Sequence, residues 1–230
     1  MPTSDSYHDY LISHLKDPSY ASVYLETHFE LEEDEDPDPE LLRLALGHVA
    51  EALGEQNMPS EQAKLHLEKL DELLSQGGSD AIYSLSNWLN ALGLKLTVTV
   101  CEEAQDKSAN FNSGSEFSDS YQDNLILRLR NQSYAAGYIE AFFEEKNPEP
   151  ELLHLVLSNV AKALGEQNMS LEKTTVHLEK LEELLSQRPS EAIYNLGNWL
   201  NALGLKLTVT VCEEAQDKSA NPTSSSQLTV

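Results

Sequence analysis

The chain has 230 residues, 40% of them hydrophobic, and 39 acidic against 15 basic side chains leave a formal charge of −24. That sign disfavours nonspecific attraction to nucleic acid or to an anionic membrane, and no apolar run reaches the ~20 residues that span a bilayer. With a polar start after Met1 and only two cysteines, one per half of the chain, the expectation is a cytoplasmic protein with free thiols.

The string NWLNALGLKLTVTVCEEAQDKSAN occupies residues 87 to 110 and recurs letter for letter at 198 to 221, a shift of 111. Upstream the shift becomes 114, because the acidic run at 30 to 40 is three residues longer in the first copy. Two copies of this length are tandem domains, not a solenoid. They span 5–106 and 119–217, with a linker at 107–118 and a tail at 218–230, both rich in Ser and Asn and so expected to be mobile.

In the first copy, Tyr7, Tyr10, Leu11, His14 and Leu15 form one helical stripe. Asp17-Pro18 starts a second helix carrying Tyr20, Val23, Tyr24, Leu25 and Phe29, and Asp38-Pro39 starts a third. The third is apolar at Leu41, Leu42, Leu44, Leu46, Val49, Ala50 and Leu53, a face wide enough for the centre of the domain. Ser60, or Ser170 in the second copy, is an N-cap for the next segment, which reads as one helix or two depending on what happens near Lys64. Its apolar positions are Ala63, Leu67, Leu70 and Leu74, or Leu171, Thr174, Leu178, Leu181 and Leu185. Ser79 and Ser190 are expected to cap a fifth helix, whose Trp88 or Trp199 lies on a core stripe and which stops at Gly93.

LKLTVTVC, at 94 to 101 and 205 to 212, is the one convincing strand of each copy, with Leu and Val alternating against Lys and Thr. A single strand per domain needs a partner, and the chain offers its own copy. The fold expected is mainly α: two homologous domains of about five helices each, each with one C-terminal strand, the strands pairing as an antiparallel two-stranded ribbon. Each chain would then be an intramolecular pseudo-dimer, able to exist as a monomer.

The strings ALGHVAEALG (45–54), LLSQGG (73–78) and NALGLKLTV (90–98), in this order of elements, resemble the addiction module antidote proteins. These are helix-turn-helix antitoxins and regulators of the lambda-repressor-like superfamily, and the likeness covers about 80 residues of each copy. It implies a non-enzyme whose partner is duplex DNA or a protein such as a toxin, with a recognition helix on His66 to Glu72 and on His177 to Glu183. The DNA- or partner-facing residues it assigns are Lys64, His66, Glu68, Lys69, Asp71 and Glu72, and Lys173, Thr175, His177, Glu179, Lys180 and Glu182. The chain departs from the pattern in two ways: no glycine marks the turn before that helix, and the helix itself presents Glu68, Asp71 and Glu72, or Glu179, Glu182 and Glu183, which phosphates repel. An acidic protein-interaction module is therefore the alternative. The charge on the face holding Lys64, Lys69, Lys173 and Lys180 decides between them, a basic strip favouring DNA and an acidic one a protein.

Other chemistry finds no support in the spacing. His66 and His177 lack a second ligand at metal spacing and read as solvated or capping residues. Cys101 and Cys212 precede acidic strings and read as plain thiols. The chain contains no phosphate loop, nucleophile elbow or Cys-x-x-Cys pair, and the acidic run lacks the glycine of a calcium loop, so no cofactor or metal is expected.

Overall fold

A computed structural model describes residues 4–29, 38–101, 121–145 and 149–212. The linker at 107–118, the tail at 218–230 and most of the acidic run lie outside the described residues. The first copy contains α1 (Ser4–Leu15), α2 (Pro18–Phe29), α3 (Pro39–Asn57), α4 (Ser60–Leu73), α5 (Gly78–Ala91) and β1 (Leu94–Val100). The second contains α6 (Tyr121–Leu129), α7 (Gln132–Glu144), α8 (Pro150–Asn168), α9 (Leu171–Ser186), α10 (Pro189–Asn201) and β2 (Leu205–Val211). Among the described residues no helix is long and apolar enough to cross a membrane.

Helix starts follow local chemistry, though not always at the residue expected. The Asp17 carboxylate accepts the Ser19 amide at 2.9 Å, and that of Asp38 accepts the amides of Glu40 and Leu41 at 2.9 and 3.3 Å. Ser170 caps α9 by accepting the Lys173 amide, as anticipated. Its counterpart Ser60 does not cap; Pro59 takes the N-cap position and Ser60 is already in the first turn of α4. Ser79 and Ser190 are likewise inside their helices, which Gly77 and Arg188 precede. Pro59, Gly77 and Arg188 supply the extended backbone at these three starts, with Pro189 as the first helical residue after Arg188, so each helix begins sooner than a serine cap would place it. Gly93 and Gly204 end α5 and α10 at φ of 76° and 77°, where a side chain would be strained.

The strands pair as expected, antiparallel, in the register Leu94↔Val211 through Thr97↔Thr208 to Val100↔Leu205. The chain's pseudo-two-fold thus passes through the Thr97–Thr208 pair, whose hydroxyls are 2.8 Å apart. Both threonines are buried, unlike the solvent-facing role that alternation assigns them. The reason is cover on both faces: β1 packs on its own α5 and on α7 of the other copy, while β2 packs on α10 and on α2. Their mutual hydrogen bond satisfies the buried hydroxyls.

The copies therefore do not close separate cores. Leu94, Leu96 and Val98 of β1 and Leu205, Leu207 and Val209 of β2 join a single buried cluster with the leucines of α3, α5, α8 and α10. A fully buried leucine contributes about 1.5–3 kcal/mol, so the ribbon ties both halves into one folding unit. Polar contacts also cross between the copies. The Tyr83 hydroxyl donates to the Glu145 carbonyl at 3.3 Å and that of Tyr194 to the Asp38 carbonyl at 3.2 Å. Glu26 accepts the backbone amide of Val209 at 3.2 Å, and Lys95 pairs with Glu144 at 2.6 Å.

Packing also corrects several apolar stripes. Leu42, Leu46, Val49, Ala50 and Leu53 make α3 the centre of its copy, but Leu41 and Leu44 point outward, 46% and 53% exposed. Tyr7, Tyr10, Tyr20 and Val23 are exposed as well, leaving Leu11, Leu15, Leu25 and Phe29 to carry the first two helices. In the segment after α3, Leu67 and Leu171 are exposed and Leu70 and Leu181 buried. A stripe drawn at 3 and 4 spacing is wider than the contact a short helix makes on a small core.

Candidate functional site

The residues assigned to the recognition helix all lie on α4 or α9, and each of these is one unbroken helix. The stretch AKLHLEKLDEL contains neither Gly nor Pro and is built mainly from strong helix formers, so nothing stops propagation through Lys64. The turn that the resemblance places before His66 is therefore not formed. What turns instead is the chain at Met58-Pro59 and at Met169-Ser170, making α3–α4 and α8–α9 two helical hairpins.

Neither His66 nor His177 is freely solvated. His177 is buried and His66 half-buried. Each imidazole stacks on the tryptophan of the following helix: His66 on Trp88 with ring centres 4.7 Å apart, His177 on Trp199 at 4.5 Å. The indole Nε1 of each tryptophan donates to the same histidine's carbonyl at 3.0 Å, locking the pair. Both Nε2 atoms are buried without a hydrogen-bond partner among the described residues. Burial accordingly holds both histidines below the usual pKa, aided by the positive charges of Lys69 and Lys180. Spacing read from the sequence missed this pairing because it crosses between two helices; the signal was the twice-repeated 22-residue interval from His to Trp.

The remaining candidates are all exposed. On α4, Lys64, Glu68, Lys69, Asp71 and Glu72 all face solvent, as do Lys173, Thr175, Glu179, Lys180 and Glu182 on α9. With Glu61, α4 presents four carboxylates and two lysines; with Glu172 and Glu183, α9 presents the same. Asp71 is not free: it takes a two-pronged salt bridge from Arg43 of α3, at 2.6 and 3.1 Å, which lowers its pKa. His154 stands in place of Arg43 in the second copy, and Glu182 in place of Asp71.

Three aliphatic side chains accompany these charges. Leu41, Leu44 and Leu65 are exposed on the first hairpin, and their counterparts Leu152, Leu155 and Val176 are exposed on the second. Between α1, α3 and α4 runs a groove of about 760 Å³ whose walls include Lys64, Leu67, Glu51 and Glu55. Among the described residues no group of three or more His, Cys, Asp or Glu side chains is arranged to hold a metal. Cys101 and Cys212 are at opposite ends of the ribbon, each amide bonded to the glycine at the far end of the other strand, Gly204 and Gly93. They cannot reach one another. Compared with protein-family models, with curated proteins and with solved structures, the chain matches none.

Proposed function

We propose that this protein is an acidic interaction module, one chain presenting two equivalent hairpin faces to a cationic protein partner. The observation that supports this reading is the make-up of those faces: twice as many carboxylates as lysines on α4 and on α9, set beside the exposed leucines and valine. Such a face attracts a helix carrying lysine or arginine around an apolar stripe, and long-range attraction speeds that encounter. Duplex DNA is the second reading. The resemblance to helix-turn-helix antitoxins favours it, and Lys64 and Lys173 are exposed on the same helices. Each phosphate contact needs a cation, however, and the excess of acids on these helices opposes it.

Fluorescence anisotropy with two labelled probes separates the readings: an amphipathic helical peptide of Lys and Leu, and a duplex of random sequence, both at low salt. The expected result is peptide binding that weakens with added salt and falls at least tenfold when Leu44 and Leu155 are both replaced by Glu. The DNA should bind at micromolar affinity or worse at physiological salt. Tighter binding of the duplex than of the peptide would decide for DNA. Glu68→Gln with Glu179→Gln sharpens the choice, since it should weaken the peptide complex and strengthen the DNA complex.

A further inference from the structure

The ribbon has two outer edges, and they are not equally satisfied. Cys101 donates its amide to the Gly204 carbonyl and Cys212 donates to that of Gly93, so alternate residues of each strand turn N–H and C=O toward the partner strand. Leu94, Leu96, Val98 and Val100 of β1 therefore turn theirs outward, as do Leu205, Leu207, Val209 and Val211 of β2. At the β2 edge the Val209 N–H donates to the Glu26 carboxylate of α2 at 3.2 Å. Its counterpart Val98 is 3% exposed, and there the N–H meets no acceptor among the described residues. Glu140 of α7 stands in the place of Glu26 and makes no such bond.

Beside that unpaired group there is room. A groove of about 390 Å³ runs between Val98, Thr99 and Val100 and the first half of α7, with Ser133, Gly137 and Glu140 on its other wall. Gly137 keeps it open: a Cβ there would meet nothing within 4 Å, whereas the first copy carries Val23 at this position. Thr99 is exposed and Val100 and Glu140 are half-buried, so the edge is reachable from solvent. A buried N–H without a partner is rare, and an added strand supplies one, because its carbonyls come within about 2.9 Å of the outward amides. Charge says which segment fits. Lys95 is bridged to Glu144 at 2.6 Å and meets Glu140 only through longer-range attraction, which leaves Glu140 without a salt bridge among the described residues. With a net charge of −24 on the chain, this wall draws a lysine or arginine and repels an acidic segment.

We propose that this groove binds a short, cationic, extended peptide segment as a third strand on the β1 edge, its backbone pairing with Val98 and Val100. A lysine or arginine of the segment faces Glu140, and a β-branched side chain lies over Gly137. In the first copy Val23 takes the place of Gly137 and Glu26 already holds the edge N–H, so the chain takes one peptide and not two. The site is on the ribbon and does not depend on the hairpin faces of α4 and α9.

The test is fluorescence anisotropy of the full chain with a labelled peptide, Thr-Val-Lys-Val-Thr with blocked ends, beside the same peptide N-methylated at its three central residues. One equivalent of the first is expected to bind, and methylation, which removes the strand-pairing N–H groups, should weaken binding more than tenfold. Gly137→Val and Glu140→Lys should each do the same, while Leu44→Glu with Leu155→Glu, which tests the hairpin faces, should leave this peptide's binding unchanged. Where a variant folds poorly, nuclear magnetic resonance of the parent chain decides: the peptide should shift the amide signals of Val98 and Val100 and not that of Val209. No binding, equal binding of the methylated peptide, indifference to Gly137→Val in a folded variant, or shifts confined to α4 and α9 would each overturn the site. Association of the chain with itself that the peptide does not displace would give the edge to a second copy, and would overturn it too.

Discussion

Several hydrogen bonds at the ribbon end of the molecule recur in both copies, whereas the face formed by the first two helices and the third differs between them. Asn57 and Asn168 both donate to the leucine carbonyl that precedes the glycine turn, Leu92 and Leu203, and both tryptophans hold a histidine carbonyl. On the other face, His8, His48 and Glu51 stand against Gln122, Asn159 and Lys162. The difference follows from symmetry. A side chain at the ribbon meets its own counterpart across a two-fold, so one change disturbs both sides of a self-complementary surface. A side chain between α1 and α3 meets only its own copy, and a matched pair such as Gln122 and Asn159 replaces another at little cost.

The largest expected effect breaks the ribbon. Leu96 and Leu207 are buried counterparts, and Leu96→Ala and Leu207→Ala should each cost about 2–5 kcal/mol. The two losses should be alike, and urea unfolding followed by far-ultraviolet circular dichroism and by tryptophan fluorescence should give one coincident transition. Two separated transitions in either variant would mean that the copies fold independently. For contrast, Leu44→Ala on the exposed hairpin should change stability by no more than about 0.5 kcal/mol.

A second, smaller effect tests the crossing of the copies at their fifth helices. A Cβ on Gly78 would stand 2.9 Å from both the Ala192 Cβ and the Leu185 carbonyl oxygen, and 3.2 Å from that of Gln187, all in the other copy. Two of these neighbours are backbone and cannot step aside, so Gly78→Ala should destabilise by about 1–3 kcal/mol. Gly137, within α7, has open space around the same position, and there alanine should stabilise by about 0.5–1 kcal/mol through helix propensity alone. Melting temperatures moving in the same direction for both would contradict the packing described.

How much of this was legible in the sequence depended on whether the deciding contact was local. The strand pairing was legible because an isolated LKLTVTV has one complementary partner, and the repeat supplies it. The helix starts at Asp17-Pro18 and Asp38-Pro39 were legible because cap and proline are adjacent. The burial of Thr97 and Thr208 was not, since alternation assumes one wet face and here α2 and α7 cover it from the opposite copies. Nor was the place of His66 and His177: spacing along one helix sets them beside charged residues, while the tryptophan that buries them comes from the next helix. The candidate face kept its lysines and carboxylates because solvent exposure is the default for charge. The apolar residues among them, Leu41, Leu44 and Leu65, were assigned to the core or passed over because hydrophobicity alone does not say which side of a helix finds cover.

The smallest effect concerns those histidines, and it compares a buried ring with a half-buried one. Both have folded-state pKa values lowered, first by burial, from an ordinary value of 6.5. Above about pH 6.5 the imidazoles are neutral whether the chain is folded or not, and their contribution to stability is fully present. As the pH falls below that point the unfolded chain takes up protons that the folded one refuses, so stability declines until the folded-state values are passed. Protonation would place a second N–H at an Nε2 that has no acceptor among the described residues. His66→Phe and His177→Phe keep an aromatic ring against the tryptophan, and the indole bond survives because its acceptor is a backbone carbonyl. Urea midpoints measured at about pH 7.5 and about pH 5.5 should therefore lie closer together in each variant than in the parent chain. The change should be larger for His177, which is 8% exposed, than for the half-buried His66. A double variant as acid-sensitive over this range as the parent would assign the slope elsewhere, to His48, whose pKa burial also lowers, and to the carboxylates.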